Sequence, residues 1–186
     1  MIRSLLASVV LLALVGTARS ADDDLPGPKI DWPEVKGLEK QKANMFKDAA
    51  LGYSVSYLGD GLVITVFVYD LGLDKIPTGP NSDTIKAEMY ESLLALEANK
   101  TSGRYKSIQP LDQKVIPFGS NKAAPQLRCK RYEVDIAKEG PAITELYVTG
   151  HKNHFIKIRA TYPTEGKEKN EKAVAELIDG LGKGLK

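Results

Sequence analysis

The sequence predicts an α+β domain in which a single antiparallel sheet of about six strands is covered by two main helices. Two observations support this fold class. Six runs have the apolar spacing of strands and are mostly joined by short turns, which favours antiparallel neighbours. Two other segments carry apolar residues three or four positions apart, and such stripes must be buried against a sheet. The predicted order is strand, strand, helix, four strands, helix.

The first twenty residues have the composition of a cleavable export signal. Arg3 provides a positive start, and an apolar run from Leu5 to Val15 is interrupted only by Ser8. That run is shorter than the about 20 residues of a membrane-spanning helix, but it suits the core of a signal peptide. Small residues place the cut after Ser20 or after Ala18. The sequence therefore predicts an exported protein, in the periplasm or otherwise secreted.

This interpretation divides the chain into three parts. Residues 1–20 are the predicted signal peptide, residues 21–48 an N-terminal tether, and residues 49–186 a single α+β domain. The tether is rich in aspartate and proline, which favour irregular structure. A short helix is predicted within it at Leu38 to Phe46, and Trp32 is expected to dock on the domain.

The predicted domain opens with two strands. Gly52 to Tyr57 alternates apolar and polar residues, which is the period of a half-buried strand. Gly59 to Gly61 forms a tight turn. Leu62 to Tyr69 is apolar on both faces, which predicts a strand covered on both sides near the middle of the sheet.

A loop rich in glycine and proline, Gly72 to Asn81, precedes the first predicted helix. Ser82 or Asp83 can cap that helix, because a side-chain oxygen there accepts a hydrogen bond from a first-turn amide. Asn99 to Gly103 ends the helix. Its apolar stripe is formed by Ile85, Met89, Leu93 and Leu96.

Four strand-like runs follow, at Tyr105 to Ile116, Gln126 to Ala137, Ile143 to Gly150 and His154 to Tyr162. The alternation of the second run changes phase between Cys129 and Tyr132, which predicts a β-bulge. Lys152 and Asn153 form a two-residue hairpin loop between the last two runs. A final helix after Pro163 carries the second stripe, formed by Val174, Leu177, Ile178 and Leu181.

Charge and cysteine content narrow the classes of function. The chain has 26 Lys+Arg and 24 Asp+Glu, but its first twenty residues hold two arginines and no acidic residue. The predicted mature chain therefore has no net charge and no general attraction to nucleic acid or an anionic membrane. No further apolar segment reaches membrane-spanning length. Cys129 is the one cysteine, and its place beside Leu127 on an alternating strand predicts a buried, unreactive thiol.

The order of these elements resembles the PsbP/Mog1-like fold. Three phrases resemble a group of exported, mostly uncharacterised bacterial proteins of that superfamily, namely Gly52 to Tyr57, Ile64 to Asp70 and Phe155 to Pro163. The resemblance spans roughly Ala49 to Leu181. It implies a periplasmic address and a non-enzymatic accessory or binding role. None of the three phrases is a catalytic motif, and the resemblance transfers no site residue.

No catalytic or cofactor motif is found in the sequence. It lacks a Gly-x-Ser-x-Gly elbow, a His-Glu-x-x-His motif, a Gly-x-x-x-x-Gly-Lys-Ser/Thr loop and a Cys-x-x-Cys pair. A Ser-His-Asp triad would need His151 or His154 as its base, since these are the only histidines. No catalytic residue and no cofactor is therefore predicted. The alternative is an enzyme of unrecognised, hydrolase-like type.

The two histidines flank the predicted hairpin loop. If Lys152 and Asn153 form that loop, His151 and His154 lie opposite each other with Cβ atoms about 5 Å apart. Two imidazoles at that distance can bind Cu²⁺, Ni²⁺ or Zn²⁺, although zinc sites usually have three or four protein ligands. Metal binding is one hypothesis for this hairpin, and an exposed polar tip is the other.

Basic and aromatic residues gather on one predicted strand. Lys157, Arg159 and Tyr162 are candidates for one wall of an anion or ligand site, and Arg128 on a neighbouring strand adds to it. Alternation places Lys157 and Arg159 on the same face as Phe155. Alternatively, their long stems cover apolar surface while the charged ends stay in water. The sequence favours a non-enzymatic exported protein that binds an unidentified protein or small ligand, through this sheet face or the glycine-rich loop.

Overall fold

The computed structural model of the chain describes residues 25–120 and 122–186. The predicted signal peptide lies outside these residues. None of the described helices is long and apolar enough to cross a membrane. In chain order the elements are β1 (Glu39–Lys40), β2 (Asn44–Met45), a 3₁₀ turn (Ala49–Leu51), β3 (Tyr53–Leu58), β4 (Val63–Tyr69), α1 (Asp83–Thr101), β5 (Tyr105–Pro117), β6 (Gln126–Ile136), β7 (Gly140–His151), β8 (His154–Pro163) and α2 (Lys167–Gly184).

The strands form one antiparallel sheet, so the predicted α+β class is confirmed. The strand order is β1-β3-β4-β8-β7-β6-β5, and β2 also pairs with β3. The sheet has eight strands rather than about six, because two-residue strands are too short to show alternation in a sequence. Leu38 to Phe46 does not form the predicted helix. It contains β1 and β2, which place Lys40 opposite Tyr57 and Met45 opposite Tyr53.

The sheet has two faces, named here the α1 face and the α2 face after the helix that packs on each. Every second residue of β4 from Ile64 to Val68 is buried in the core of the α2 face. The alternate residues Val63, Thr65 and Phe67 lie on the α1 face and are only half-buried. The sequence predicted cover on both sides of this strand. However, α1 packs on β5 and β7 and leaves β4 partly open.

The first helix begins at the predicted cap. Ser82 accepts a hydrogen bond from the backbone N–H of Ile85 at 3.2 Å, which satisfies one free amide of the first turn. Ile85, Met89 and Leu96 of the predicted stripe are buried. Leu93 is half-buried, because it lies at the margin of the contact with the sheet.

The second helix buries the whole of its predicted stripe, namely Val174, Leu177, Ile178 and Leu181. Its last turn is packed closely by two loops. A Cβ at Gly182 would overlap the carbonyl oxygen of Phe118, and a Cβ at Gly184 would overlap that of Asp31. Glycine at these two positions therefore permits a backbone approach that no other residue allows.

The strand β6 is covered on different faces in its two halves. Leu127 and Cys129 are buried in the α2-face core, whereas Tyr132 and Val134 are buried on the α1 face. The pairing of β6 with β7 has no register shift. The pairing of β5 with β6 does shift between Tyr132 and Arg131, but the extra residue there is Leu111 of β5. The predicted irregularity is thus present at this point of the sheet, whereas its assignment to β6 is wrong, and the change of phase in β6 reflects a change of covered face. Cys129 is fully buried, so the prediction of a buried thiol is confirmed. Burial raises the pKa of this thiol to about 12.

Residues 25–35 run along the domain. The backbone N–H of Asp31 donates to the carbonyl of Gly184 at 2.9 Å. Trp32 packs edge-to-face on Tyr53, with ring centroids 6.3 Å apart. The expected docking of Trp32 is confirmed, and this segment closes one side of the α2-face core.

Candidate functional site

A pocket of about 170 Å³ opens on the α1 face, beside α1. Its floor is the part of β4 and β8 that α1 leaves open, and its walls are the start of β5 and the β6–β7 turn. Its apolar lining is formed by Val63, Phe67, Ile136, Pro141, Ala142 and Pro163. Because an apolar cavity of about 150 Å³ holds benzene, this pocket has room for one ring or a short acyl chain.

Arg159 supplies positive charge to this pocket. It lies on β8 between Thr65 of β4 and Leu146 of β7. Its Nη2 donates a hydrogen bond to the hydroxyl of Tyr105 at 2.5 Å, the one hydrogen bond of its side chain within the described residues. A guanidinium has five N–H donors, so Arg159 retains donors for an acidic ligand. Arg104 also lines the pocket.

Lys157 lies on the same face but holds α1 to the sheet. Its Nζ is 3.0 Å from Oε1 of Glu88, which is buried on α1. The same ammonium lies over the rings of Phe67 and Tyr69, at 5.5 and 5.0 Å from their centroids. Tyr69 donates to Glu88 at 2.5 Å, and burial, followed by the Glu88 charge, raises the pKa of Tyr69. Lys157 therefore anchors a helix rather than lining the pocket.

The polar groups of the other two predicted residues are engaged outside the pocket. Arg128 is on the α1 face, but its Nε donates to the carbonyl of Pro80 at 3.0 Å and its Nη2 to Asn81 at 3.4 Å. It thus fixes the glycine-rich loop before α1. Tyr162 points to the α2 face, where its hydroxyl donates to Glu145 at 2.9 Å. Of the predicted set, Arg159 and Tyr162 line the pocket, and only Arg159 brings a charged group to it.

The histidine hairpin has the predicted geometry. His151 and His154 are paired across the β7–β8 turn. Lys152 and Asn153 both have positive φ, at 45° and 62°, as a type I′ turn requires. His154 Nδ1 lies 2.9 Å from the carbonyl oxygen of Lys152, and a Cβ at Gly27 would meet the same ring at 2.8 Å.

Both imidazoles are thus partly enclosed. Burial lowers the pKa of His151, and its Nε2 is buried without a hydrogen-bond partner. In residues 25–120 and 122–186, no group of three or more His, Cys, Asp or Glu side chains is placed to hold a metal ion. Metal binding by this pair stays a prediction.

A charged cluster that no sequence motif indicated is buried on the α2 face. Glu145 of β7 is 3% exposed. Its two carboxylate oxygens accept hydrogen bonds from the hydroxyls of Tyr147 and Tyr162, at 2.8 and 2.9 Å. Nε of Arg131 lies 2.8 Å from Oε1 of Glu145, without the alignment of a hydrogen bond. The same guanidinium pairs with Glu171 of α2, so the cluster joins three strands to a helix.

The cluster shifts the pKa values of Arg131 and of its two tyrosines. Burial, followed by the Glu145 carboxylate, raises the pKa of Tyr147 and of Tyr162. Burial alone would lower the pKa of Arg131, but Glu145, Tyr162 and Glu171 raise it overall. A cleft of about 440 Å³ beside α2 reaches this cluster. Because protein donors occupy both oxygens of Glu145, the carboxylate has little capacity left to act as a general base.

The sequence carries a signal for Glu145. Glu145 is the one charged residue of the run Ile143 to Val148, and all six residues of that run are buried. A charged side chain in such a strand must be paired. The signal does not identify Arg131 and Glu171 as the partners, because their contact depends on how β6 and α2 pack.

Comparison with known proteins identifies no family. No protein-family model matches the chain, and no curated protein matches it. The chain is similar to the solution structure of cyanobacterial PsbP (CyanoP) from Synechocystis sp. PCC 6803, with a TM-score of 0.49 and 12% sequence identity over 96% of this chain and 98% of that chain. At this TM-score and identity, however, the likeness assigns the chain to no family and to no function.

Proposed function

We propose that the chain is an exported, non-enzymatic binding protein whose pocket on the α1 face takes a small ligand with one acidic group and a compact apolar body. The observation that carries this proposal is the position of Arg159 in an open, mostly apolar pocket. Small-molecule sites combine apolar walls with a few directed polar groups. A guanidinium forms charge-assisted hydrogen bonds with a carboxylate. The apolar run and small residues of the first twenty positions support export.

The alternative, an enzyme of hydrolase-like type, is favoured by the cleft beside α2. Groups with shifted pKa values converge there, as they often do in active sites. Against this, Glu145 is fully engaged by Tyr147 and Tyr162. The described residues that line the cleft include no serine, cysteine or histidine. The cluster therefore supports a stabilising role better than a catalytic one.

The binding proposal is tested with benzoate and its neutral analogue benzamide, by following backbone amide shifts in NMR titrations. Benzoate should shift the amides of Thr65, Tyr105 and Arg159. It should bind about tenfold more tightly than benzamide, because hydrogen bonds to a charged group contribute about 1.5–3 kcal/mol. Arg159→Gln should remove that preference.

Lys106→Gln is the matched control, since Lys106 is an exposed cation near the pocket that pairs with Asp135 at 3.5 Å. This variant should bind benzoate as the wild type does. Equal responses to benzoate and benzamide in the wild-type protein would contradict the proposed recognition of an acidic group.

Export is tested separately by N-terminal sequencing of the full-length product after expression in a bacterium. Cleavage after Ser20 or Ala18 should produce a chain that begins at Ala21 or Arg19. Recovery of a chain that begins at Met1 from the cytoplasmic fraction alone would show that the proposed localisation is wrong.

A further inference from the structure

The strand β5 forms one edge of the sheet and pairs only with β6 within the described residues. It is long, from Tyr105 to Pro117, and most of its residues from Gln109 to Pro117 are exposed. Leu111 and Val115 are 45% and 41% exposed, although both are large apolar residues. An edge of this kind offers unpaired backbone groups to another strand.

Register shifts and prolines hinder most of this edge from pairing with another strand, but one segment has no such protection. Register shifts interrupt the pairing with β6 near Tyr105 and between Pro110 and Asp112. Pro110 and Pro117 lack an N–H donor, so they prevent regular pairing at both ends. Leu111 to Ile116 contains no proline, and its register with β6 is regular from Asp112 onward, with Leu111 as the extra residue at the shift. This segment can pair with a further strand.

The sequence of this segment is complementary to a second copy of itself when the two strands run antiparallel with Gln113 at the centre. In an antiparallel pair centred there, Leu111 lies opposite Val115, and Asp112 lies opposite Lys114. Asp112 and Lys114 point to the α2 face, because their partners across β6 are Arg131 and Cys129. The same arrangement brings an apolar pair together on the other face. Cross-strand pairs of both kinds stabilise a sheet, and like charges directly opposite destabilise it.

We propose that Leu111–Val115 is the contact of a symmetric dimer, in which β5 pairs antiparallel with β5 of a second copy about Gln113. A twofold axis requires one surface to be complementary to itself, and the alternation of apolar, acidic, polar, basic and apolar residues meets this requirement. A peptide from another protein would not need this symmetry. Arg131 Nη1 lies 3.3 Å from Asp112 and holds its carboxylate on the α2 face, next to the second copy's Lys114. The proposal is independent of the ligand pocket.

The test uses sedimentation velocity of the chain without its predicted signal, over about a hundredfold range of protein concentration up to several hundred micromolar. The wild type should change from monomer to dimer. Lys114→Asp places two acidic residues opposite each other, and Asp112→Lys places two basic residues opposite each other. Each variant alone should weaken the dimer about tenfold or more. An equimolar mixture of the two should dimerise, because the heterodimer restores both charge pairs.

Lys42→Asp is the matched control, since Lys42 is exposed at the opposite edge of the sheet. It should dimerise as the wild type does. Val115→Arg is an independent variant that removes the apolar pair, and it should also be monomeric. Far-UV circular dichroism checks that each variant folds.

Three outcomes would overturn the proposal. The first is a wild-type protein that stays monomeric throughout the concentration range. The second is a dimer that persists in both Lys114→Asp and Val115→Arg, which would place the contact on another surface. The third is a mixture of folded Lys114→Asp and Asp112→Lys that stays monomeric.

Discussion

The helices α2 and α1 cover opposite faces of one sheet to different extents. On the α2 face, the residues of β4 from Ile64 to Val68 that point to the helix are at most 1% exposed. The buried Arg131–Glu145 cluster closes the same face further along the sheet. On the α1 face, Phe67 and its neighbours on β4 stay half-buried beside the helix. The part of the α2 face at β4 is therefore closed by packing, and the cleft on that face lies beside the cluster instead. The α1 face retains a half-buried apolar surface at β4 itself.

The largest expected effect is at the cluster. Glu145→Ala would remove the buried carboxylate that pairs with Arg131 and accepts hydrogen bonds from Tyr147 and Tyr162. Arg131 would keep only its more exposed partners, Glu171 and Asp112. Removing one partner of a buried ion pair typically costs about 3–5 kcal/mol. We expect a loss of this size in the free energy of unfolding, measured by urea denaturation.

The double variant Arg131→Met with Glu145→Leu is the control for this change, because it removes both charges and keeps the volume filled. It should lose less stability than Glu145→Ala. If Glu145→Ala unfolds at the same urea concentration as the wild type, the cluster does not stabilise the α2 face.

The next largest effect is expected from truncating one leucine in each helix and comparing the losses in the free energy of unfolding. Leu177→Ala on α2 removes a side chain that is fully buried, so it should lower the free energy of unfolding by about 3 kcal/mol. Leu93→Ala on α1 should lower it by only about 1 kcal/mol, because Leu93 is half-buried. The sequence predicted marked losses for both, and the structure reduces the expectation for Leu93.

The rate at which a thiol reagent labels Cys129 provides a second measurement that compares the two leucine variants. Cys129 is buried in the α2-face core, so labelling should be slow in the native protein. Leu177→Ala should accelerate it more than Leu93→Ala does. Equal acceleration in the two variants would show that the faces do not open separately.

The smallest expected effect is the pH dependence of the free energy of unfolding. Burial, and then the charge of Lys152, lowers the pKa of His151 in the folded chain, against a hydrogen bond to the backbone of Lys186 that raises it. An unfolded histidine titrates near pH 6.5. Between the two values the unfolded state binds more protons, so the free energy of unfolding rises with pH over that range.

Acidification from pH 7 to pH 5 should therefore destabilise the protein in part through His151. His151→Gln should reduce this dependence and change little at pH 7, as measured by thermal unfolding at both values. A variant with the wild-type pH dependence would show that His151 is not the group responsible.

The sequence predicted the elements that have strong periodicity, and it failed where packing decides. The stripe of α2 was identified because Val174, Leu177, Ile178 and Leu181 repeat at helical spacing and are all buried. The sequence does not predict the short strands β1 and β2, because two residues show no periodicity. Only their pairing with β3 defines them as strands. The bulge in β6 was wrong because a sequence cannot show that Cys129 and Tyr132 face different helices.

The candidate site was predicted only in part for the same reason. Alternation correctly placed Lys157 and Arg159 on one face, as their pairing with Phe67 and Thr65 of β4 shows. The residue type alone could not separate an anchor from a ligand-binding group. That distinction depends on Glu88, which α1 brings against Lys157, and on the pocket, which α1 leaves open at Arg159.

The contacts of residues 25–35 with the end of α2 have a consequence for folding during synthesis. Ile30 forms a bridge with Leu185, and the backbone N–H of Lys186 donates to the carbonyl of Lys29 at 3.0 Å. Nearly the whole described chain separates the two segments. The chain must therefore be made through the end of α2 before Lys29 to Asp31 can form these contacts, and such long-range closure is slow. Until then, an incomplete chain exposes the side of the α2-face core that this segment covers.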